Sequence, residues 1–123
     1  MPDLPTIAIV DDDRGIREAL SGLVQSLGYQ PLLFASAEDY LASANQSAVA
    51  CMIVDVRMPG MSGIELQAWL NSQGARPPII FLTSYLDEAT RSRALEGGAR
   101  HFLVKPVDDE VLISCLNAAL AKA

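Results

Sequence analysis

The sequence predicts an α/β fold in which one parallel sheet carries helices on both faces, and three observations lead there. Short apolar runs of strand length take turns with longer stretches whose apolar residues recur at helical spacing. The short runs are almost continuously apolar, as strands covered on both faces must be. Finally, 123 residues of which 50% are hydrophobic suffice for one sizeable core and exclude two full domains.

Taken in order, Thr6-Ile7-Ala8-Ile9-Val10 is short, apolar and partly β-branched, and reads as the first strand. Ile16, Ala19, Leu20, Leu23, Val24 and Leu27 then draw one apolar stripe along a helix that Gly28 ends. Leu32-Leu33-Phe34 is the second strand, after which Ser36-Ala37-Glu38-Asp39 resembles a capping box opening a short helix to about Ala44. Cys51-Met52-Ile53-Val54 reads as the third strand. Past the turn-rich Pro59-Gly60-Met61-Ser62-Gly63, a third helix carries Ile64, Leu66, Trp69 and Leu70, with Ser62 and Glu65 spaced for a capping box. Pro78-Ile79-Ile80-Phe81-Leu82 supplies the fourth strand and Phe102-Leu103-Val104 the fifth, while Val111, Leu112, Cys115, Leu116, Ala119 and Leu120 stripe the last helix. The fourth helix, Asp87 to Glu96, offers only Ala89, Ala94 and Leu95 as apolar residues. Little burial holds it, and it is the candidate mobile surface.

Charge and composition narrow the function classes. Fifteen acids against nine bases leave a net charge of -6, which repels phosphate backbones, so direct nucleic-acid binding is not expected. No apolar run approaches the roughly 20 residues of a membrane span, and the N-terminus lacks the pattern of a secretory signal. Cys51 and Cys115 lie in apolar stretches without paired spacing. They read as reduced, buried thiols, with no disulfide framework or zinc site, and favour a cytoplasmic setting. His101, the one histidine, has no partners for nucleophilic or metal chemistry, and Trp69 reads as core or rim packing.

In open parallel sheets, ligands gather at the carboxyl ends of the strands, where the strand-to-helix loops converge. Asp11-Asp12-Asp13 follow the first strand and Asp55 follows the third. At about 5 Å and an effective dielectric near 20, each repulsive carboxylate pair costs on the order of 3 kcal/mol before screening. Capping the next helix accounts for one aspartate, best Asp13, and leaves Asp11, Asp12 and Asp55 unexplained. A hard divalent cation relieves the repulsion, and Mg2+, which takes one or two carboxylates, a carbonyl and waters, is the natural occupant. Thr83 after the fourth strand and Lys105 after the fifth add a hydroxyl and an ammonium at the same edge. With Asp55 as nucleophile, they complete a phosphoryl site. Lys105 is one of two lysines beside seven arginines, the other being Lys122, so a compact point charge is wanted there.

Four stretches, Ile9-Val10-Asp11-Asp12-Asp13, Val54-Asp55 through Gly63, Leu82-Thr83-Ser84 and Lys105-Pro106, resemble the receiver domain of bacterial two-component response regulators over nearly the whole chain. The Arg57-Met58-Pro59-Gly60-Met61-Ser62-Gly63 stretch is similar to the branch joined to helix-turn-helix DNA-binding domains, which implies an output in transcription. The resemblance implies the flavodoxin-like receiver fold, a three-layer α/β/α sandwich with strand order 2-1-3-4-5. It implies that Asp55 accepts a phosphoryl group from a sensor histidine kinase. Mg2+ would be held by Asp12, Asp55 and the backbone carbonyl of Arg57, with Asp11 acting mainly through a metal-bound water. Thr83 and Lys105 would engage the phosphoryl group, Phe102 would be the aromatic that changes rotamer, and Arg57 and Tyr85 would tune the lifetime of the phosphorylated state. Phe102 departs from relatives with tyrosine in lacking a hydroxyl. Dimerisation through the fourth helix, fifth strand and fifth helix on phosphorylation is a further expectation. The Lys105-Pro106 peptide is commonly cis in the family, and the small trans preference before proline leaves both isomers open.

Two other readings compete. A metal-dependent aspartyl phosphohydrolase would place a second acid two residues after the nucleophile, where this chain has Arg57, and would need an insertion to cap its substrate. A receiver-like module acting through unphosphorylated protein contacts would not need all five site residues. On the primary reading, residues 1–123 form one receiver unit that assists its own phosphorylation and dephosphorylation but is otherwise no enzyme. Because the sequence ends as the last helix finishes, no effector domain is expected within it.

Overall fold

The computed structural model describes residues 4–43, 48–75 and 77–121. Strands and helices alternate as β1 (Thr6–Val10), α1 (Arg14–Ser26), β2 (Gln30–Phe34), α2 (Ala37–Leu41), β3 (Val49–Asp55), α3 (Gly63–Ser72), β4 (Ile79–Thr83), α4 (Glu88–Glu96), β5 (His101–Val104) and α5 (Asp109–Leu120). All neighbouring strands are parallel, in the order β2-β1-β3-β4-β5, as expected.

Strand periodicity divides the core between the two faces. Ile7 and Ile9 of β1, Cys51 and Ile53 of β3, and Ile80 and Leu82 of β4 pack with Leu20 and Val24 of α1 and with Leu112, Cys115 and Leu116 of α5. The alternate residues, Ala8, Val10, Met52, Val54 and Phe81, meet Tyr40 of α2, Leu66 and Leu70 of α3, and Ala94 of α4. Each buried isoleucine contributes on the order of 2 kcal/mol through the apolar area it removes from water. Both cysteines are free and buried, as their apolar settings predict.

Side-chain caps fix where the helices begin. Asp13 accepts from the Ile16 N–H at 3.0 Å and caps α1. Ser62 and Glu65 form the expected reciprocal box on α3. At α2, Ser36 accepts from the Asp39 N–H at 3.0 Å without a reciprocal bond to the Asp39 side chain, so the expected box is a single cap, and Glu38 accepts from the Met61 N–H at 2.8 Å. The helix proper ends at Leu41, and the expected limit at Ala44 lies outside the described residues, as does Lys122. Gly28, at φ 88°, closes α1 in the left-handed region that favours glycine. β2 begins two residues earlier than its apolar run suggests, despite Pro31, because an edge strand tolerates a missing ladder donor.

The fourth helix buries only Ala94, and Leu95 is 38% exposed. What holds α4 is polar and sits at its C-terminal end. The buried Gln67 amide of α3 donates to the Ala94 carbonyl at 2.9 Å, and Asn71 donates to the Gly97 carbonyl at 2.9 Å. Trp69, read from the sequence as core or rim packing, is 41% exposed.

Candidate phosphoryl and metal site

The strand order reverses between β1 and β3, so the loops after these strands diverge and leave a cleft at their carboxyl ends. Asp11 follows β1 directly, Asp55 is the last residue of β3, Thr83 is the last of β4, and Lys105 follows β5. One carboxylate oxygen from each of Asp11, Asp12 and Asp55 lies within 4.8 Å of the other two.

Asp11 is buried and held from every side. Its N–H continues the ladder to the Phe34 carbonyl at 3.1 Å, Oδ1 accepts from the Asp13 N–H at 2.9 Å, and Oδ2 accepts from Lys105 Nζ at 3.0 Å. Its carbonyl accepts from Arg17 Nη1 at 2.7 Å. Asp12 is exposed. Lys105 Nζ also lies 3.6 Å from Asp55 Oδ1, so one ammonium stands between the two buried acids. Burial, and after it the charge of Asp11, push the Asp55 carboxyl up to about 6 against the pull of Lys105 and of a hydrogen bond from the Arg57 backbone. Three clustered carboxylates with one ammonium against two of them are short of positive charge.

That deficit, with an all-oxygen donor set, fits a hard divalent cation better than a soft metal. Asp11, Asp12 and Asp55 could hold it, with the Arg57 backbone beside Asp55.

Thr83 is buried at the same edge, with its hydroxyl turned to the next loop. Oγ1 donates to the Tyr85 carbonyl at 3.1 Å and accepts from the Tyr85 N–H at 3.2 Å. The Lys105 N–H donates to the Thr83 carbonyl at 2.7 Å, and the Lys105-Pro106 peptide is cis. Arg57 and Tyr85 stack on each other, guanidinium carbon to ring centroid 4.8 Å, bridging the loops after β3 and β4. Phe102 does not join the carboxylate cluster. It is half-buried and tilted against Phe81 at 6.4 Å on the face of the sheet that α4 covers.

Two contacts have no sequence signature. Arg17 reaches the loop after β1 from the first turns of α1, and Glu38 reaches the loop after β3 from α2. A basic residue four positions beyond a helix-capping aspartate is the faint signal for the first, while nothing local marks the second. Gly63 is required by packing, since a Cβ there would collide with the Asp55 carbonyl and approach Val54 Cγ1 at 3.0 Å.

The profile of a family described as the response regulator receiver domain matches residues 7–117. The response regulator protein TodT of Pseudomonas putida is 43% identical over 117 residues, covering 95% of this chain and 52% of TodT. The transcriptional regulatory protein FixJ of Azorhizobium caulinodans is 36% identical over 100% of this chain and 58% of its own length. The chain thus spans little more than half the length of these curated relatives. Among solved structures, the response regulator StyR superposes with a TM-score of 0.89 at 38% identity over 95% of this chain and 59% of that one. FixJ-N gives 0.84 at 32% identity over 100% and 99%.

Proposed function

Because the chain belongs to the response regulator receiver domain family, we propose that Asp55 is its phospho-acceptor and that a sensor histidine kinase is the donor. The observation that carries this is the convergence of Asp11, Asp12, Asp55 and Lys105 at one sheet edge, with Asp55 buried and the Lys105 ammonium 3.6 Å from its carboxylate. An Asp55 carboxylate oxygen attacks the phosphorus of a phosphohistidine. The P–N bond breaks as the P–O bond forms, and the departing imidazole nitrogen takes up a proton. Asp11, Asp12, Asp55 and the Arg57 carbonyl would hold Mg2+, which would supply charge neutralisation for the transferred group. Lys105 exchanges its contact with Asp11 for a phosphoryl oxygen, and the Thr83 hydroxyl leaves the Tyr85 backbone to donate to another. Arg57 and Tyr85 border the group and set the access of water to it.

The added charge and the release of Tyr85 bias α4, which so few contacts hold, and Phe102 repacks beside it. Exposed Leu95, Val104 and Val111 put apolar surface on α4, β5 and α5, which supports dimerisation there in the phosphorylated state. Relatives named as transcriptional regulatory proteins support an output in transcription for the whole protein, with DNA contacted outside this acidic unit. We read residues 1–123 as a single cytoplasmic receiver unit that acts in signalling and assists its own phosphorylation and dephosphorylation. Among the described residues, no helix is long and apolar enough to cross a membrane.

Intact-mass spectrometry after incubation with acetyl phosphate tests this reading. A single phosphoryl adduct that requires both Mg2+ and Asp55, and is absent from Asp55→Ala, is the expected result. No adduct, together with no binding of beryllofluoride, would favour a module acting through unphosphorylated contacts.

A further inference from the structure

Within the acidic cluster the three carboxylates are not equally held. Asp55 ends a strand in the middle of the sheet, and the Asp11 side chain is fixed by Lys105 and by the Asp13 N–H. The Asp12 carboxylate makes no hydrogen bond or ion pair with any described residue, and Asp12 is exposed. Where it points therefore depends on its backbone alone. The peptide joining Asp11 to Asp12 lies one step beyond the last paired residue of β1, Val10, so its carbonyl has no strand partner. Arg17 supplies one, at 2.7 Å.

We infer that Arg17 is a positioning residue of the metal site: its guanidinium fixes the Asp11-Asp12 peptide and so aims the Asp12 carboxylate at the point that Asp11 and Asp55 share. The inference rests on the proposed Mg2+ site. Arg17 forms no ion pair with an acid among the described residues, although three carboxylates crowd the loop it touches, so its contact is with the peptide and not with a charge. Arg14, one turn back toward the start of α1, has a different role and pairs with Glu18 on the outer surface. Replacing an outer partner that orients a metal ligand typically costs about 10–100-fold in metal affinity.

The sign of the effect separates this role from a plain electrostatic one. A cation beside a divalent-ion site repels the ion, so a purely electrostatic Arg17 would weaken Mg2+ binding and its removal would tighten it. A positioning Arg17 does the reverse. Isothermal titration of the full chain with MgCl2 at neutral pH should show Arg17→Met weakening Mg2+ binding on the order of 10-fold. Arg17→Lys, which keeps one donor, should recover part of the loss. In an Asp12→Asn background, Arg17→Met should cause little additional loss, because the ligand it aims has been altered. Unchanged or tighter binding by Arg17→Met, or full additivity with Asp12→Asn, would overturn the inference. Should Arg17→Met fail to fold, an Arg17→Lys affinity equal to that of the wild type would also overturn it. Failure of the wild type to bind Mg2+ would instead overturn the metal reading itself.

Discussion

Replacing Asp55 with asparagine should stabilise the metal-free protein. The side chain keeps its shape but loses a charge that its surroundings oppose, first by burial and then through Asp11. The carboxyl is raised from 3.8 to about 6, a shift of about 2 units, and each unit corresponds to about 1.4 kcal/mol, so the charged form costs the fold about 3 kcal/mol at neutral pH. The sign follows from linkage. A carboxyl whose folded-state pKa is raised leaves stability intact below its unfolded value and removes it as pH climbs through the folded value. The wild type should therefore lose this contribution between about pH 4 and pH 6, whereas Asp55→Asn has nothing to lose. Urea denaturation in EDTA should show nearly equal stabilities near pH 4 and a gap of about 3 kcal/mol in favour of the variant at pH 7, or about 10 °C in Tm for a domain of this size. Saturating Mg2+ should narrow or reverse the gap, because only the wild type presents the complete set of acids. A variant no more stable than the wild type at pH 7, or a gap that persists unchanged to pH 4, would refute the account of opposed charge.

Three further substitutions probe other parts of the molecule. Asp12→Asn, at an exposed position, should raise the metal-free Tm by at most about 3 °C while reducing the stabilisation by Mg2+, both readable by thermal denaturation with and without the ion. Gly63→Ala forces a methyl group against the Asp55 carbonyl, where backbone cannot yield cheaply; a loss of about 3 kcal/mol or more in urea unfolding is expected, with weakened phosphorylation of what remains folded. Gln67→Leu removes one of the two donors to the Ala94 carbonyl, which keeps the Ala99 N–H, so about 1 kcal/mol should be lost, and hydrogen exchange should quicken along α4 more than along α1.

The site was legible in the sequence because a parallel sheet brings the ends of its strands to one edge. Asp11 after Val10, Asp55 after Val54, Thr83 after Leu82 and Lys105 after Val104 need only the strand assignments to be placed together, and the apolar runs supply those. The strand order was not contained in the runs and came through the family resemblance. Asp13 was legible as a cap for a local reason, three residues from the N–H it satisfies. The contact of Glu38 was not legible for the complementary reason. Its carboxylate accepts from a backbone N–H 23 residues away, which nothing in the neighbouring sequence marks. Gln67 looked like one more polar residue of α3, and only the packing of α4 above it makes its amide a buried donor. The fourth helix was correctly read as poorly anchored from its few apolar residues, while the amides that tie down its far end belong to another helix and leave no trace in its own sequence.

The alternation of strand faces has one more consequence. The sheet is a partition: α1, which carries the cap and the arginine of the acidic loop, shares its packing with α5, while Phe81, Phe102 and α4 lie on the opposite side. On the proposed function, a rearrangement that begins at Thr83 and spreads through Phe102 to α4 would run within one layer. The anchorage of the acidic loop on α1 and the packing of α4 thus lie on opposite faces of the sheet, so substitutions around α4 should leave the placement of the acidic loop unchanged.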